Sequence, residues 1–256
     1  MTAATQRFYD TMARRNPALT FMNYGFADPA SGLHAEMDPA GMADASRALY
    51  GAVLGGLSSA GHVLEVGCGR GGGAAFVLES KTVGQYLGLD ISTENIRRCR
   101  ERLDADGRAR FAVADARRLP VPTGRYDAVF SVEAAQHFEE RDQFYRDVGR
   151  ALGPDGRFFL ASIWRPAEVE SPDRFAALGL RVVDHVDITA NVVASLERSS
   201  ALRRQIVESL HLPDKFTPLL MSWAGVRGFT AFDALASRAL VYQRFEFARA
   251  SAAPSV

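Results

Sequence analysis

Val63-Leu64-Glu65-Val66-Gly67-Cys68-Gly69-Arg70-Gly71-Gly72-Gly73 is the stretch around which the rest of the chain is arranged. It begins as a short apolar run with a β-branched residue at each end, the pattern of a strand buried in a parallel sheet. The run breaks into glycines, and Ala74, Ala75, Val77 and Leu78 come next at helical spacing. Strand, glycine turn, helix brings a ligand against bare backbone at a helix N-terminus. Glycine suits that turn because it tolerates positive φ and has no Cβ to hold a ligand away. Gly67, Gly69 and Gly72 fit the dinucleotide spacing G-x-G-x-x-G, and Gly67, Gly69 and Gly71 fit G-x-G-x-G equally well. Either match alone is weak, so the ligand has to be read from the ends of the later strands.

Downstream, strand and helix alternate. Strand one covers His62–Gly67, strand two Gln85–Asp90, strand three Arg110–Ala114, strand four Tyr126–Val132 and strand five Arg157–Ser162. A helix is expected from about Ser92 to Leu103. Another carries Phe144, Tyr145, Val148 and Leu152, and Gly153-Pro154-Asp155-Gly156 is expected to stop it. One more helix is expected over 166–179, then strand six over Leu180–Ile188 and a last strand over Leu240–Ala248. This alternation predicts a doubly wound parallel sheet, whose ligands bind beyond the C-terminal strand ends.

The flanking regions differ from this core. Residues 1–60 are aromatic-rich at Phe8-Tyr9 and at Phe21-Met22-Asn23-Tyr24-Gly25-Phe26, and a helix is expected from Pro39 to about Leu57. A cap over the cleft and a helix packed outside the sheet are equal readings for Phe8 and Phe21. Tyr24 is read as part of a cap. Residues 190–237 form a long helical region with an apolar stripe at Val192, Val193, Leu196, Leu202, Ile206 and Leu210. An insertion of that size before the last strand reads as a lid. Most of its apolar residues are expected in the core, with Met221 and Trp223 facing a substrate.

The strand ends carry the chemistry. Asp90 closes strand two, 23 residues after Gly67. A carboxylate at this spacing accepts from both hydroxyls of an adenosine ribose. Asp115-Ala116 comes directly after strand three, where a carboxylate and the next backbone N–H can read an adenine edge.

Together these residues resemble the class I S-adenosylmethionine-dependent methyltransferases. The hallmarks are Val63–Gly69, Gly88-Leu89-Asp90, Ala114-Asp115-Ala116 with Leu119-Pro120, Tyr126-Asp127-Ala128-Val129 and Leu152-Gly153-Pro154-Asp155-Gly156. They span about residues 62–163 in family order. Asn23-Tyr24-Gly25, Gly71-Gly72-Gly73, Val132-Glu133-Ala134 and the late insertion resemble the natural-product and lipid methyltransferases, including the phthiotriol and sugar O-methyltransferases. The resemblance implies a Rossmann-like α/β fold: a doubly wound seven-stranded sheet with its last strand antiparallel. It divides into an N-terminal helical cap (1–60), a cofactor-binding core (61–189), a helical lid (190–237) and the last strand with the tail (238–256).

It also implies roles. Glu65 supports the glycine turn and reaches the methionine amine. Gly67, Cys68 and Gly69 border the methionyl part, Asp90 holds the ribose, and Ile91 lies against the adenine. Asp115 and Ala116 read the adenine edge, and Glu133 lines the methyl-transfer face. A cationic sulfonium suits a site rich in Glu65, Asp90, Asp115 and Glu133, whereas a pyrophosphate does not. If the acceptor is a hydroxyl, His137 just past strand four is the expected base, and an unperturbed pKa of ~6.5 suits that role. Relatives carry a histidine there or one residue earlier, where this chain has Gln136. Tyr24, Gln136, Trp164, Met221 and Trp223 are expected at the acceptor. No metal is expected, because no His/Cys cluster has ligand spacing. His34, His62, His185 and His211 read as structural.

Composition narrows the partners. The chain has 256 residues, 30 Lys+Arg and 30 Asp+Glu, so its formal net charge is zero. That lacks the basic footprint of a nucleic-acid ligand. No run approaches the ~20 apolar residues of a membrane span. Cys68 and Cys99 are too few for a disulfide framework, and a cytoplasmic setting with free thiols is expected. A homodimer is compatible with the chain. The leading expectation is therefore O-methylation of an apolar small molecule. Carbon or nitrogen methylation, with Glu133 or Tyr24 stabilising charge, is the second reading. A cofactor-binding protein with another activity is the third.

Overall fold

The computed structural model describes residues 3–31, 36–103, 105–169 and 172–250, so His34 and the end of the tail lie outside the described residues. The chain opens with α1 (Ala3–Arg15) and α2 (Pro39–Val53). Then come β1 (Ser59–Val66), α3 (Gly72–Ser80), β2 (Thr82–Asp90), α4 (Thr93–Leu103), β3 (Ala109–Val113), β4 (Tyr126–Val132) and α5 (Arg141–Ala151). The second half is β5 (Leu152–Trp164), α6 (Pro172–Ala177), β6 (Leu180–Asp187), α7 (Thr189–Glu208), α8 (Thr217–Trp223), α9 (Thr230–Ala236) and β7 (Val241–Arg249).

The strands form one seven-stranded sheet in the order β3-β2-β1-β4-β5-β7-β6. β7 runs antiparallel to both of its neighbours, and the other pairs are parallel. The order reverses between β1 and β4, which sets a crevice at their C-terminal ends. Alternation within each strand sends side chains to two cores. Val63, Phe130, Phe159 and Tyr242 enter one, and Leu64, Val129, Phe158 and Phe245 the other. Both faces are covered, which is why β1 and β4 read as continuous apolar runs rather than alternating ones.

Local chemistry fixes the helix starts. Asp38 accepts from the Gly41 N–H at 2.7 Å, and Pro39 pre-sets the first turn of α2. At α4, Ser92 Oγ accepts from the Asn95 N–H at 3.1 Å. Asp10 of α1 adds a second cap, accepting from Ser92 Oγ at 2.5 Å and from the Glu94 N–H at 3.2 Å. A carboxylate at a helix N-terminus also meets the positive end of the helix dipole.

Three expectations are corrected. Gly153-Pro154-Asp155-Gly156 does not separate α5 from a later strand. Leu152 is fully buried and pairs with Tyr126, and pairing resumes between Arg157 and Ala128, so the turn residues bulge out of β5. The helix expected over 166–179 is a 3-10 turn (Pro166–Glu168) and the short α6. The long helical region breaks into α7, α8 and α9, because Pro213 comes after α7 while Gly225 and Gly228 take positive φ of 70° and 82° after α8. No helix among the described residues is long and apolar enough to cross a membrane.

Candidate active site

A cleft of about 430 Å³ opens at the C-terminal ends of β1, β2, β4 and β5. Its size is that of a small-ligand site. The glycine turn forms its floor. Gly67 has φ of +81°, and a Cβ there would stand 2.3 Å from that of Ala134. The N–H groups of Gly67 and Cys68 both donate to Leu89 O, at 2.7 and 3.0 Å, which folds the turn against β2. Asp90 completes the corner. Its Oδ2 accepts from the Gly69 N–H (2.9 Å), and its Oδ1 accepts from the Ser92 N–H (2.8 Å) and Asn95 Nδ2 (3.3 Å). Burial pushes its pKa up to about 6, against the opposing pull of the Ser92 and Gly69 N–H groups. Gly67, Cys68, Gly69, Asp90 and Ile91 all line the cleft.

Glu65 lies beneath that turn and outside the cleft wall. It is 1% exposed, takes a hydrogen bond from Tyr86 OH, and crowds the space where Gly73 would carry a Cβ. Burial pushes its carboxyl up to about 8. Cys99 of α4 donates its thiol to Gly69 O at 3.3 Å, so both cysteines pack at the turn and both are free.

The N-terminal segment covers this floor. Arg70 is 2% exposed, and its Nη1 donates to Asn16 O (2.5 Å) and Leu19 O (2.8 Å). A Cβ on Gly69 would meet the Met22 methyl at 2.7 Å, and one on Gly72 would meet the Phe21 ring at 2.5 Å. The absence of a Cβ at Gly69 and Gly72 is thus what lets Met22 and Phe21 lie this close to the turn.

Glu133 stands just past β4 with φ of +54°, in the left-handed region that a glutamate rarely adopts. Its Oε1 accepts from the Tyr24 N–H (2.8 Å) and Tyr242 OH (2.9 Å), and burial pushes its pKa up to about 7. Arg203 of α7 donates from Nη2 to Asn23 O and Tyr24 O, both at 3.1 Å, and Ser195 Oγ donates to Tyr24 O at 2.9 Å. Tyr24 OH donates to Trp223 O at 3.1 Å. Tyr24 therefore ties the N-terminal segment to α7, α8 and the Glu133 carboxylate.

The far end of the cleft carries Gln136, His137, Arg141, Ile163, Trp164, Trp223 and Leu240. Gln136 Oε1 is occupied by Ser162 Oγ at 2.8 Å, so its side chain is held back. His137 is exposed on the rim, its ring 6.3 Å from that of Tyr9. Surrounding protein atoms, and then the Arg141 guanidinium, hold its pKa below the usual histidine value. Tyr9 packs edge-on against Trp223 at 6.4 Å.

Three further expected residues are not in this wall. Asp115 is bound by the Arg117 guanidinium at 2.7 Å, and Ala116 is buried with Leu89 and Leu119. Met221 is 2% exposed and packs with Met12, Val207 and Leu210, because it lies on the inner face of α8. Among the cleft-lining residues not assigned to the site from the sequence are Tyr9, Met22 and Arg141. Aromatic density at Phe8-Tyr9 points to the first, whereas nothing local marks Arg141.

The reversal of strand order, the bare glycine turn, a strand-end carboxylate and a second carboxylate past β4 define a site for S-adenosylmethionine. A carboxylate such as Asp90 could accept from a ribose diol, and walls carrying Asp90 and Glu133 are chemically suited to a sulfonium. Comparison with known proteins agrees. Residues 64–160 match the methyltransferase domain family. The chain is 30% identical over 250 residues to the fatty-acid O-methyltransferase of Mycolicibacterium smegmatis, covering 94% of this chain and 87% of that one. It is 30% identical over 190 residues to a phthiotriol/phenolphthiotriol dimycocerosates methyltransferase of Mycobacterium leprae, covering 73% and 69%. The chain belongs to the S-adenosylmethionine-dependent methyltransferases. Among solved structures it aligns with the geranyl diphosphate C-methyltransferase of Streptomyces coelicolor (TM-score 0.71, 16% identity, 96% of each chain). It also aligns with the cyclase SpnF (TM-score 0.73, 18% identity, 97% and 96%). At such identities these two bear on the fold alone.

Proposed function

We propose that this methyltransferase acts on an oxygen of an apolar small molecule, in the leading case a hydroxyl whose proton His137 accepts. The observation that carries the reading is the His137 imidazole itself. It lines the cleft just past β4, forms no hydrogen bond among the described residues, and is favoured in its neutral, proton-accepting form. The bound cofactor supplies an electrophilic methyl group. The chain's part is to hold the acceptor in line and to keep water out, and Phe21, Ile163, Trp164, Trp223 and Leu240 make an apolar wall for it. On this reading residues 1–60 act as the cap and 190–237 as the acceptor lid. The names of the relatives, on a fatty acid and on lipid dimycocerosates, support an apolar acceptor. A cytoplasmic setting suits the free Cys68 and Cys99.

A second reading rests on Glu133. Its Oε2 has no partner among the described residues, and a pKa of about 7 poises it for charge or proton handling at a carbon or nitrogen acceptor. Two variants separate the readings, with S-adenosylhomocysteine binding measured beside turnover. Loss of turnover in His137→Ala with binding intact supports the hydroxyl. Turnover that ignores His137 but is lost in Glu133→Gln transfers the case to carbon or nitrogen.

A further inference from the structure

The far end of the cleft holds a cation with no direct ion-pair partner among the described residues. Arg141 opens α5 on the cleft wall, its guanidinium 5.1 Å from the ring centre of Trp164. Among the described residues it forms no hydrogen bond and no ion pair. Of the carboxylates near it, Asp142 is taken by Arg174 at 2.6 Å. Glu168, on the same rim, lies 4.0 Å from Arg165 instead. Trp164, under the guanidinium, is 2% exposed, and its Nε1–H has no acceptor among the described residues. A buried donor without an acceptor is costly, and such groups usually have a partner. A guanidinium without a direct partner, set over the Trp164 ring on the cleft wall, suits an anionic acceptor group.

We propose that Arg141, stacked on Trp164, receives a carboxylate carried by the methyl acceptor. This rests on the oxygen-acceptor reading and narrows its substrate to an apolar acid. One guanidinium matches one carboxylate in charge and in fork geometry. A diphosphate would leave charge unmatched in a cleft that already holds Glu133 and Glu168. The carboxylate has two sources, because it is either the reacting group or an anchor beside a reacting hydroxyl. In the first case a carboxylate oxygen attacks the methyl carbon as the carbon–sulfur bond breaks. Sulfur keeps the electron pair and becomes a neutral thioether, while the acid becomes a neutral methyl ester, with no proton to place. In the second case the hydroxyl oxygen forms the new bond, and its proton passes to His137.

The test uses the full chain loaded with S-adenosylhomocysteine. Straight-chain and aryl carboxylic acids of graded length, each with its matched alcohol, are titrated into wild type, Arg141→Met and Arg141→Lys. Methionine keeps an apolar stem over Trp164 and removes the charge. The expected result is that acids bind wild type better than their alcohols. Arg141→Met then weakens the acids about 10- to 100-fold while alcohols and S-adenosylhomocysteine are unchanged, and lysine restores part of the loss. Acids that bind no better than alcohols, or an equal loss for both in Arg141→Met, overturn the proposal and leave Arg141 a packing residue. Product analysis separates the sources: a methyl ester that survives His137→Ala marks the reacting carboxylate, and a methyl ether lost in that variant marks the anchor. If neither acid nor alcohol is methylated at oxygen, the oxygen reading fails while the titration still judges Arg141.

Discussion

The two ends of the cleft are finished in opposite ways. At the cofactor end Asp90 has both oxygens engaged, by Gly69, Ser92 and Asn95, and the turn is fastened to Leu89 O. At the end proposed for the acceptor, the side chains of His137 and Arg141 have no hydrogen-bond partner among the described residues. A ligand that is the same in every turnover rewards a site built before it arrives. The acceptor end instead leaves donors for its ligand to complete.

Four measurements break or sharpen that contrast. The largest effect is expected from His137→Ala, which should lower turnover on hydroxyl acceptors about 10²- to 10⁴-fold with cofactor affinity unchanged. A fall in S-adenosylhomocysteine affinity of the same size would mean that the two ends are one unit. Next, Asp90→Ala should weaken cofactor binding about 100-fold, because ribose acceptors are lost and the Gly69 and Ser92 N–H groups are left bare. Calorimetry on the variant decides this, and a loss of less than a few-fold removes Asp90 from the ribose.

The third effect is a pH slope. Asp90 at about 6, Glu133 at about 7 and Glu65 at about 8 all lie above the ordinary carboxylate range of ~4. A raised folded-state pKa gives stability that is complete below the unfolded value and is lost as pH rises through the folded one. The ligand-free protein should therefore melt progressively lower between about pH 5 and pH 8. Glu65→Gln should flatten the upper part of that slope, by an amount on the order of a few kcal/mol. The sulfonium works in the other direction. S-adenosylmethionine should bind more tightly as pH rises over the same window, with proton release that Glu133→Gln reduces. A slope unchanged in both variants would place these carboxylates in ordinary solvent. The smallest effect belongs to Leu219→Ser on the cleft rim, where the side chain is 63% exposed, and stability should shift by no more than about 0.5 kcal/mol. A larger shift in the melting curve would show that the rim is packed in solution.

The same contrast governs what is legible in the sequence. The cofactor end is nearly contiguous: one glycine turn and the carboxylate that closes the next strand, both in runs whose periodicity is plain. Glu133 is legible for the same reason, since it sits directly after β4. Arg141 is not, because its meaning depends on Trp164, which β5 delivers from elsewhere in the chain. Met221 misleads because an apolar residue on a short helix faces inward or outward by the helix's rotation, which composition does not encode. Gly153–Gly156 misleads because turn residues inside a bulge look like turn residues between elements.

One fastening predicts an order of events. Asp10 is bound to the start of α4, and Arg70 holds Asn16 and Leu19, so the N-terminal segment bars the glycine turn from both sides. A cofactor bound beneath that bar is expected to enter before the acceptor and to depart after the methylated product. Steady-state kinetics should then be sequential and ordered, with S-adenosylhomocysteine competing against S-adenosylmethionine but not against the acceptor.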